Sequence, residues 1–579
     1  MGSSRAAWKT KTLQRFDDLR QHENQLTFVL SLVIGALVGL VVVAFILLTG
    51  RLAARMYPAG GSGWRRILVP TLGSLGTGYL LFRYFPFARG SGIPQTKFAL
   101  FVNDGFIKFR TVVGKFFCCS ASLASGIALG REGPSVQVGA GLASVIGRRL
   151  GLSKHQVKSL VPVGCSAALA AAFNTPIAAV LFSLEEIVGD MNAPVLGSVV
   201  LSSATSWMVL HLVLGDDPLF HVGSYELIHP AEFGVYSVLG VVGGLGSVCF
   251  VKLLLWIRAR FMQMPRSTLW LQPTAGGLGT GILGFFVPGV LGVGYDIVGQ
   301  ALHGNLVLET MALLAVLKLV ATALCYGSGN AGGIFGPSLF IGAMIGGAVG
   351  SVAHALFPAY TAAPGAYALV GMGTAFAGIV RTPLTSVIMI FELTRDYAII
   401  VPLMISNLIA FFISYKLQKE PIYEALAHQD GVHLPSSGAR AAAGHVRVEQ
   451  AMQPAPIILQ PDIPLSMVAE RVRATGMDAW PVADTSGFLG MMTKTKLENA
   501  MAHGLSDKAV SDVLGESFHG HSPSAEEFPH LHLDHDLGLA LERMGASGVN
   551  VLPVVSRANL RDLLGVVTLD SVLRAYGVA

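Results

Sequence analysis

The sequence predicts an α-helical polytopic membrane protein made of two homologous halves with broken helices, followed by a soluble α/β module. Three observations predict it: an apolar composition, a glycine-proline pattern written twice about two hundred residues apart, and a sharp change of composition near Glu420. Of 579 residues, 52% are hydrophobic and 13% charged, with a mean hydropathy of +0.59. A soluble domain carries about twice that share of charge. The net charge of +5 is small for this length and gives no case for nucleic-acid binding.

Residues 1–25 are expected to be a cytoplasmic segment, because Arg5, Lys9, Lys11, Arg15 and Arg20 precede the first span. Arg51, Arg55, Arg65 and Arg66 follow that span and blur the orientation. Gln25–Gly50, Thr111–Gly130, Glu232–Trp256, Thr310–Tyr326 and Ala398–Tyr415 are long enough to span or nearly span a bilayer. The first lacks the small-residue cleavage site of a signal peptide. Cys118, Cys119, Cys165, Cys249 and Cys325 all fall in apolar stretches without metal-ligand spacing and read as buried thiols. The transport domain is expected over 26–425.

Inside it, Gly130-Arg131-Glu132-Gly133-Pro134-Ser135 and Gly333-Ile334-Phe335-Gly336-Pro337-Ser338 share G-x-x-G-P-S-x-x-x-G-A at an offset of 337 − 134 = 203. Glycine and proline interrupt a membrane helix there. A helix restarting at membrane depth points unsatisfied N–H groups and a positive dipole end at whatever lies before it, which suits an anion. A second echo runs without gaps from Gly164, Ala168, Ala170, Thr175, Pro176, Val180 and Glu185 to Gly371, Ala375, Ala377, Thr382, Pro383, Val387 and Glu392, at 371 − 164 = 207. One duplication with a short insertion explains both offsets. Hydropathy alone leaves parallel and inverted halves both open.

Downstream, 426–445 reads as a linker and 446–579 as two units, about 446–503 and 504–579. The first holds Val448-Glu449-Gln450-Ala451-Met452, an amphipathic run Leu465–Thr475, Trp480-Pro481-Val482 and Phe488-Leu489-Gly490-Met491-Met492-Thr493. The second repeats the order with Leu537–Gly545, Leu552-Pro553-Val554-Val555 and Leu563-Leu564-Gly565-Val566-Val567-Thr568. The pattern resembles a tandem pair of CBS domains, whose two sheets are expected to pack against each other. Nucleotide-binding members end T-x-x-D; here Lys496 stands three after Thr493 and Ser571 three after Thr568, with Asp570 one place early. Adenine-nucleotide binding is therefore disfavoured and no cofactor is expected; dimerisation or gating without a ligand is the competing role.

Gly90-Ser91-Gly92-Ile93-Pro94, then Gly130-Arg131-Glu132-Gly133-Pro134, then Gly333-Ile334-Phe335-Gly336-Pro337, followed by a CBS pair, resemble the signature loops of the CLC chloride channel and transporter family. The resemblance covers roughly Phe28 to the C-terminus. It implies a homodimer with one anion pathway per subunit, two inverted halves, and short helices whose N-termini meet at the anion. Gln95 and Gly336 depart from the usual glutamate and alanine, and neither removes a ligand.

A dehydrated chloride needs polarised donors weak enough to release it, which hydroxyls and backbone amides provide. The resemblance puts the Ser91 hydroxyl and the amides of Ile334 and Phe335 on a central chloride, with Tyr423 closing the site from the inner side. Turn-forming and interfacial-belt roles compete for Ser91 and Tyr423. Serine at position 91 also implies chloride over nitrate or fluoride. Glu132, before helix N-termini, competes with the anion and leaves only by moving or taking a proton; an ion pair with Arg131 is the rival role. Adjacent helical residues point about 100° apart, so Glu185 and Glu186 serve two environments. Glu185 shares a structural role with its echo Glu392. Glu186 aligns with Leu393 and matches the second glutamate that CLC exchangers keep for cytoplasmic proton transfer; a helix-end charge at the water interface competes.

The expected function is a chloride/proton antiporter, not an enzyme, in contact with membrane lipid. It is expected in the inner membrane of a bacterium with both termini cytoplasmic. A passive chloride channel would share every anion ligand; a CBS-regulated divalent-cation transporter would need several acids converging on a pore. Lys318, Arg381, His211 and His354 are expected to satisfy carbonyls or reach an interface. The histidines of His519–His535 are spaced too irregularly to predict a metal site.

Overall fold

The structure is a computed structural model that describes residues 23–58, 60–191, 194–216, 219–220, 227–432, 446–473, 475–514 and 529–576. The chain divides into two compact units, Met1–Leu434 and Pro435–Ala579.

In the first unit the earlier half comprises α1 (Glu23–Met56), α2 (Arg65–Arg83), α3 (Ile93–Phe101), α4 (Phe109–Ala124), α5 (Glu132–Arg149), α6 (Lys154–Phe173), α7 (Pro176–Phe182), a π turn (Ser183–Val188) and α8 (Leu196–Leu214). The later half repeats that order as α9 (Glu232–Met262), α10 (Gln272–Phe286), α11 (Tyr295–Leu302), α12 (Leu308–Gly327), α13 (Phe335–Leu356), α14 (Pro364–Val380), α15 (Pro383–Thr394) and α16 (Ile400–Leu417). Seven helices among the described residues are long and apolar enough to cross a membrane. The expected span Thr111–Gly130 is instead the 16-residue α4 followed by an irregular loop.

Equivalent helices pack alike. α5 lies on α6 as α13 lies on α14, α1 on α8 as α9 on α16, and the mates α2 and α10 lie against each other. Glycine sets the closest crossings: a Cβ on Gly139 would stand 2.2 Å from the Gly164 carbonyl oxygen, and one on Gly342 2.2 Å from that of Gly371. Without a hydrophobic drive between helices in lipid, such close backbone packing supplies the attraction.

The proline of each broken loop falls in the first turn of the new helix, Pro134 in α5 and Pro337 in α13, where a missing N–H costs no intrahelical bond. Gly130 N donates to the Gly333 oxygen at 2.7 Å, and Gly333 N returns a bond to the Gly130 oxygen at 2.7 Å. Equivalent residues that exchange antiparallel bonds are related by a local two-fold axis, as inverted halves require.

A third pairing was not visible as a motif. The 3-10 turn Pro86–Ala88 and Gly90-Ser91-Gly92 precede α3; Pro288–Val290 and Gly292-Val293-Gly294 precede α11, at 292 − 90 = 202. All four of these glycines have positive φ, from 62° to 101°, which a side chain would strain. Lys115 donates to the Ala88 and Gly90 oxygens at 2.9 and 2.7 Å; its mate Lys318 donates to the Val290 and Gly292 oxygens at 3.0 and 2.6 Å. Lys318 therefore satisfies carbonyls, as expected. Arg381 does the same with the Ser414 and Gln418 oxygens, and the His211 and His354 Nδ1 atoms lie 3.0 and 3.2 Å from the Trp207 and Thr361 oxygens. Of the cysteines, Cys118, Cys119, Cys165 and Cys325 are buried, but Cys249 is exposed on the outer face of α9, which corrects the expectation of five buried thiols.

α17 (Ile422–Gln429) closes the first unit, held by Arg258, which donates to Gln429 Oε1 at 2.8 Å and pairs with Asp430 at 2.5 Å. Residues 426–432, expected as linker, thus form the end of a packed helix and the turn after it, while 433–445 lie outside the described residues.

The second unit contains α18 (Val448–Ala451), α19 (Leu465–Val472), β1 (Ala479–Asp484), β2 (Gly487–Thr493), α20 (Lys494–Ala502), α21 (Val510–Leu514), α22 (Leu537–Ser547), β3 (Val551–Val555), β4 (Leu563–Thr568) and α23 (Leu569–Ala575). β1 pairs antiparallel with β2 and β3 with β4. The two sheets meet through Ala479, Phe488, Met491, Val551, Val555 and Val566, as expected. The leading helices are exchanged. Val448 and Ala451 pack with Leu531, Leu537, Leu552 and Val567 of the later repeat, and Val510 and Val513 with Leu465, Trp480 and Met492 of the earlier one. Val448–Met452 thus stands in the earlier repeat by its place along the chain and covers the later repeat's sheet, because order along the chain does not say which sheet a helix covers. The residues three after each threonine cap helices: Lys496 N donates to Thr493 Oγ1 at 3.2 Å and Ser571 N to Thr568 Oγ1 at 3.1 Å, while Lys496 Nζ reaches the Leu514 oxygen at 2.7 Å. Asp570 lines a cleft of about 390 Å³ with Asp478, Thr568 and Arg574.

Candidate anion and proton site

The paired loops bring Ser91, Glu132, Ile334 and Phe335 to one place. α5 and α13 both begin there, and helix-start amides have no intrahelical acceptor. The Glu132 carboxylate is fully buried against Gly130, accepts from Gly336 N at 3.3 Å and accepts a short hydrogen bond from the Tyr295 hydroxyl. An acidic side chain in front of two helix starts occupies the position that suits an anion. Arg131 makes no ion pair with Glu132. Its guanidinium donates to the Ala172 oxygen at 3.4 Å and lies over the Tyr295 ring, 5.7 Å from its centroid.

Ser91 is fully buried, and a Cβ on Gly133 would lie 2.9 Å from its hydroxyl, so glycine at 133 lets α5 start against the Ser91 loop. Ser91 Oγ accepts from Ile93 N at 3.4 Å, a long bond that leaves its proton for a ligand. Ile334 and Phe335 are buried, and the Phe335 ring packs among Phe173, Phe182 and Phe376 at centroid distances of 4.6, 5.5 and 4.2 Å. This cluster fixes the loop and keeps water from its flank.

Tyr423, near the start of α17, is fully buried and so is not an interfacial belt residue. Its hydroxyl is a buried polar atom without a hydrogen-bond partner. Such a group costs about 1–3 kcal/mol unless something meets it, and Tyr423 lies within electrostatic reach of Glu186, Tyr326 and Glu132.

Glu185 and Glu186 sit in a π turn rather than an α-helix, and they do point apart. Glu185 accepts from Leu384 N and Thr385 N at 3.4 and 2.8 Å and from the Thr385 hydroxyl at 2.6 Å, capping α15. Glu392 accepts from Ile177 N and Ala178 N at 2.9 and 2.7 Å, capping α7. Each half caps the other, the shared role expected from the echo. Glu186 turns inward, is 6% exposed, and accepts from Lys97 Nζ at 2.7 Å; Glu424 lies 3.6 Å from the same nitrogen. Sequence reasoning missed Tyr295, Lys97 and Glu424. The Gly292-x-Gly294 echo of Gly90-x-Gly92 was the available signal for Tyr295; nothing local marked the other two.

Residues 73–415 match the family model for voltage-gated chloride channels, and 448–503 and 524–578 match CBS domains. An H(+)/Cl(-) exchange transporter ClcA of Vibrio campbellii is 32% identical over 61% of this chain and 76% of its own. A putative chloride channel protein ClcB-like of Ralstonia nicotianae is 33% identical over 64% of this chain and 88% of its own. Among solved structures, a slow cyanobacterial Cl-/H+ antiporter superposes with a TM-score of 0.65 at 26% identity, covering 70% of this chain and 97% of that one. A eukaryotic CLC transporter superposes with a TM-score of 0.66 at 20% identity over 94% and 97%, a likeness of fold. With two inverted halves, broken helices meeting at one buried site and a tandem CBS pair, this chain belongs to the CLC family of voltage-gated chloride channels and transporters.

Proposed function

We propose that the protein is a chloride/proton antiporter. Chloride passes a constriction formed by Ser91 and Tyr423 and is held by the amides of Ile334 and Phe335. Glu132 occupies the outer part of that path when ionised, swings out when protonated, and exchanges its proton with Glu186, which connects to the cytoplasm. The observation that carries this is the Glu132 carboxylate, bonded to Gly336 N where an anion would bind. A group that competes with chloride and leaves by taking a proton links the two fluxes. Relatives named as H(+)/Cl(-) exchangers and a solved antiporter support the reading. Burial of Glu186 supports exchange over a passive channel, which needs no second acid there. A homodimer in a lipid bilayer, both termini cytoplasmic, completes the proposal.

The test is a chloride gradient across proteoliposomes with a proton electrode. Uphill proton uptake is expected in the wild type, and Glu132→Gln should abolish it while chloride still moves. A wild type that moves chloride without protons is a passive channel.

A further inference from the structure

A cleft of about 450 Å³ opens where α3, α9 and α17 meet the loop before Ser91, beside the point at which the chain leaves α17 for the soluble unit. The charged residues that line it are Arg89, Arg258 and Asp430. Arg258 pairs with Asp430 at 2.5 Å and donates to Gln429 Oε1 at 2.8 Å. Arg89 forms no ion pair among the described residues. Its Nη2 donates to Gln272 Oε1 at 3.2 Å and to the Ser328 oxygen at 2.9 Å, both neutral acceptors, and its Nε and Nη1 have no acceptor among the described residues. Gly329, at a φ of 91°, makes room for this guanidinium, since a Cβ there would collide with it. The two arginines lie within electrostatic reach of each other and share one carboxylate, so the cleft carries a net charge of about +1 that an anion offsets.

The remaining wall is mostly apolar, and Phe87, Phe98 and Met262 on it are exposed. Trp256, two residues before Arg258, and Trp270 are exposed alongside. Lys108 Nζ lies 5.8 Å from the Phe87 ring centroid, and the Arg260 guanidinium 5.5 Å from that of Trp256. Tryptophans and cations at helix ends mark the depth of lipid headgroups. A bare halide fills roughly the volume of one water, about 30 Å³, and would leave most of this cleft empty.

We propose that the cleft is a binding site for an anionic phospholipid, whose phosphate sits on the free donors of Arg89 with Arg258 as the second cation and whose acyl chains run over Phe98 and Met262. Basic pockets between membrane helices at the headgroup level take lipids of this class, and arginine is a favoured phosphate ligand. The leaflet is the one on the side where the chain leaves for the soluble unit. The site goes beyond the transport reading and stands whether the protein exchanges or conducts chloride, so its test reads binding and not flux.

The experiment is native mass spectrometry of the full chain in detergent, titrated with phosphatidylglycerol, with phosphatidylcholine and with inorganic phosphate, and with melting as the check on folding. The wild type should bind one phosphatidylglycerol per chain about tenfold or more tighter than phosphatidylcholine, because only the first offers an uncompensated negative charge. Arg89→Gln should lose that preference, Arg89→Lys should keep part of it, and Arg55→Gln, an exposed arginine outside the cleft, should keep it all. Met262→Glu, which sets a negative charge at the exposed rim, should weaken phosphatidylglycerol binding and decides alone if Arg89→Gln does not fold. A wild type without preference between the two lipids, or a folded Arg89→Gln protein with the wild-type preference, would overturn the proposal. Displacement of phosphatidylglycerol by excess inorganic phosphate would overturn it too, in favour of a soluble anion.

Discussion

The two halves of the membrane unit share one backbone and differ at a few side chains. Lys115 and Lys318 hold matching carbonyls, Glu185 and Glu392 cap each other's partner helices, and Gly130 and Gly333 exchange hydrogen bonds. At equivalent positions of the two halves, Ser91 corresponds to Val293, Ile93 to Tyr295, Glu132 to Phe335 and Glu186 to Leu393. Matched pairs build the frame, and mismatched pairs carry the polar groups of the proposed pathway. A duplication supplies two helix starts aimed at one point, and an acid stands on only one of them.

The sharpest break of this comparison is at neighbouring residues of the π turn. Glu186→Gln should lower chloride-driven proton flux by at least about tenfold, with chloride binding retained in calorimetry. Glu185→Gln should leave the ratio of protons to chloride unchanged and lower the melting temperature instead. Equal loss of proton flux in both would dissolve the distinction between frame and pathway. Next in size is the reciprocal cap: Glu185→Gln and Glu392→Gln each weaken charge-assisted bonds to buried amides, and each should cost about 2 kcal/mol of stability in detergent. A large loss in one and none in the other would deny the two-fold role.

Lys115→Met and Lys318→Met should destabilise comparably, by about 1–3 kcal/mol, because each orphans two loop carbonyls. The smallest expected effect is on the mismatched side. Tyr295→Phe removes one donor to Glu132 and should speed chloride turnover about fivefold, read as single-turnover efflux, if release of Glu132 limits the rate. Slower turnover would show that Tyr295 supports transport by another route.

The duplication was legible because prolines and a carboxylate recur at fixed distance: G-x-x-G-P-S gives the broken helices, and T-P with Glu185 and Glu392 gives the capped ones. Glu132 could be read from those motifs as an acid before a helix start, whereas Ser91, Ile334 and Phe335 were assigned through the resemblance to the CLC signature loops. The G-x-G echo at Gly292 was passed over, since two glycines with different neighbours are a weak pattern until their positive φ values are seen. Lys97 and Glu424 were illegible for another reason. Their partner Glu186 is 186 − 97 = 89 residues from one and 424 − 186 = 238 from the other, and no local spacing encodes an ion pair across three elements. Helix exchange in the CBS pair was hidden likewise, because apolar periodicity says that Val448 and Ala451 are buried and not against which sheet.

That exchange bears on how the cytoplasmic module can be rearranged. The strands of the later repeat are covered by the helix that opens the earlier one, so a cut at the apparent repeat boundary strips an apolar seam from both sides. Neither repeat is a separable cassette. Chimaeras, truncations and transplants will succeed only where 446–576 travels as one piece.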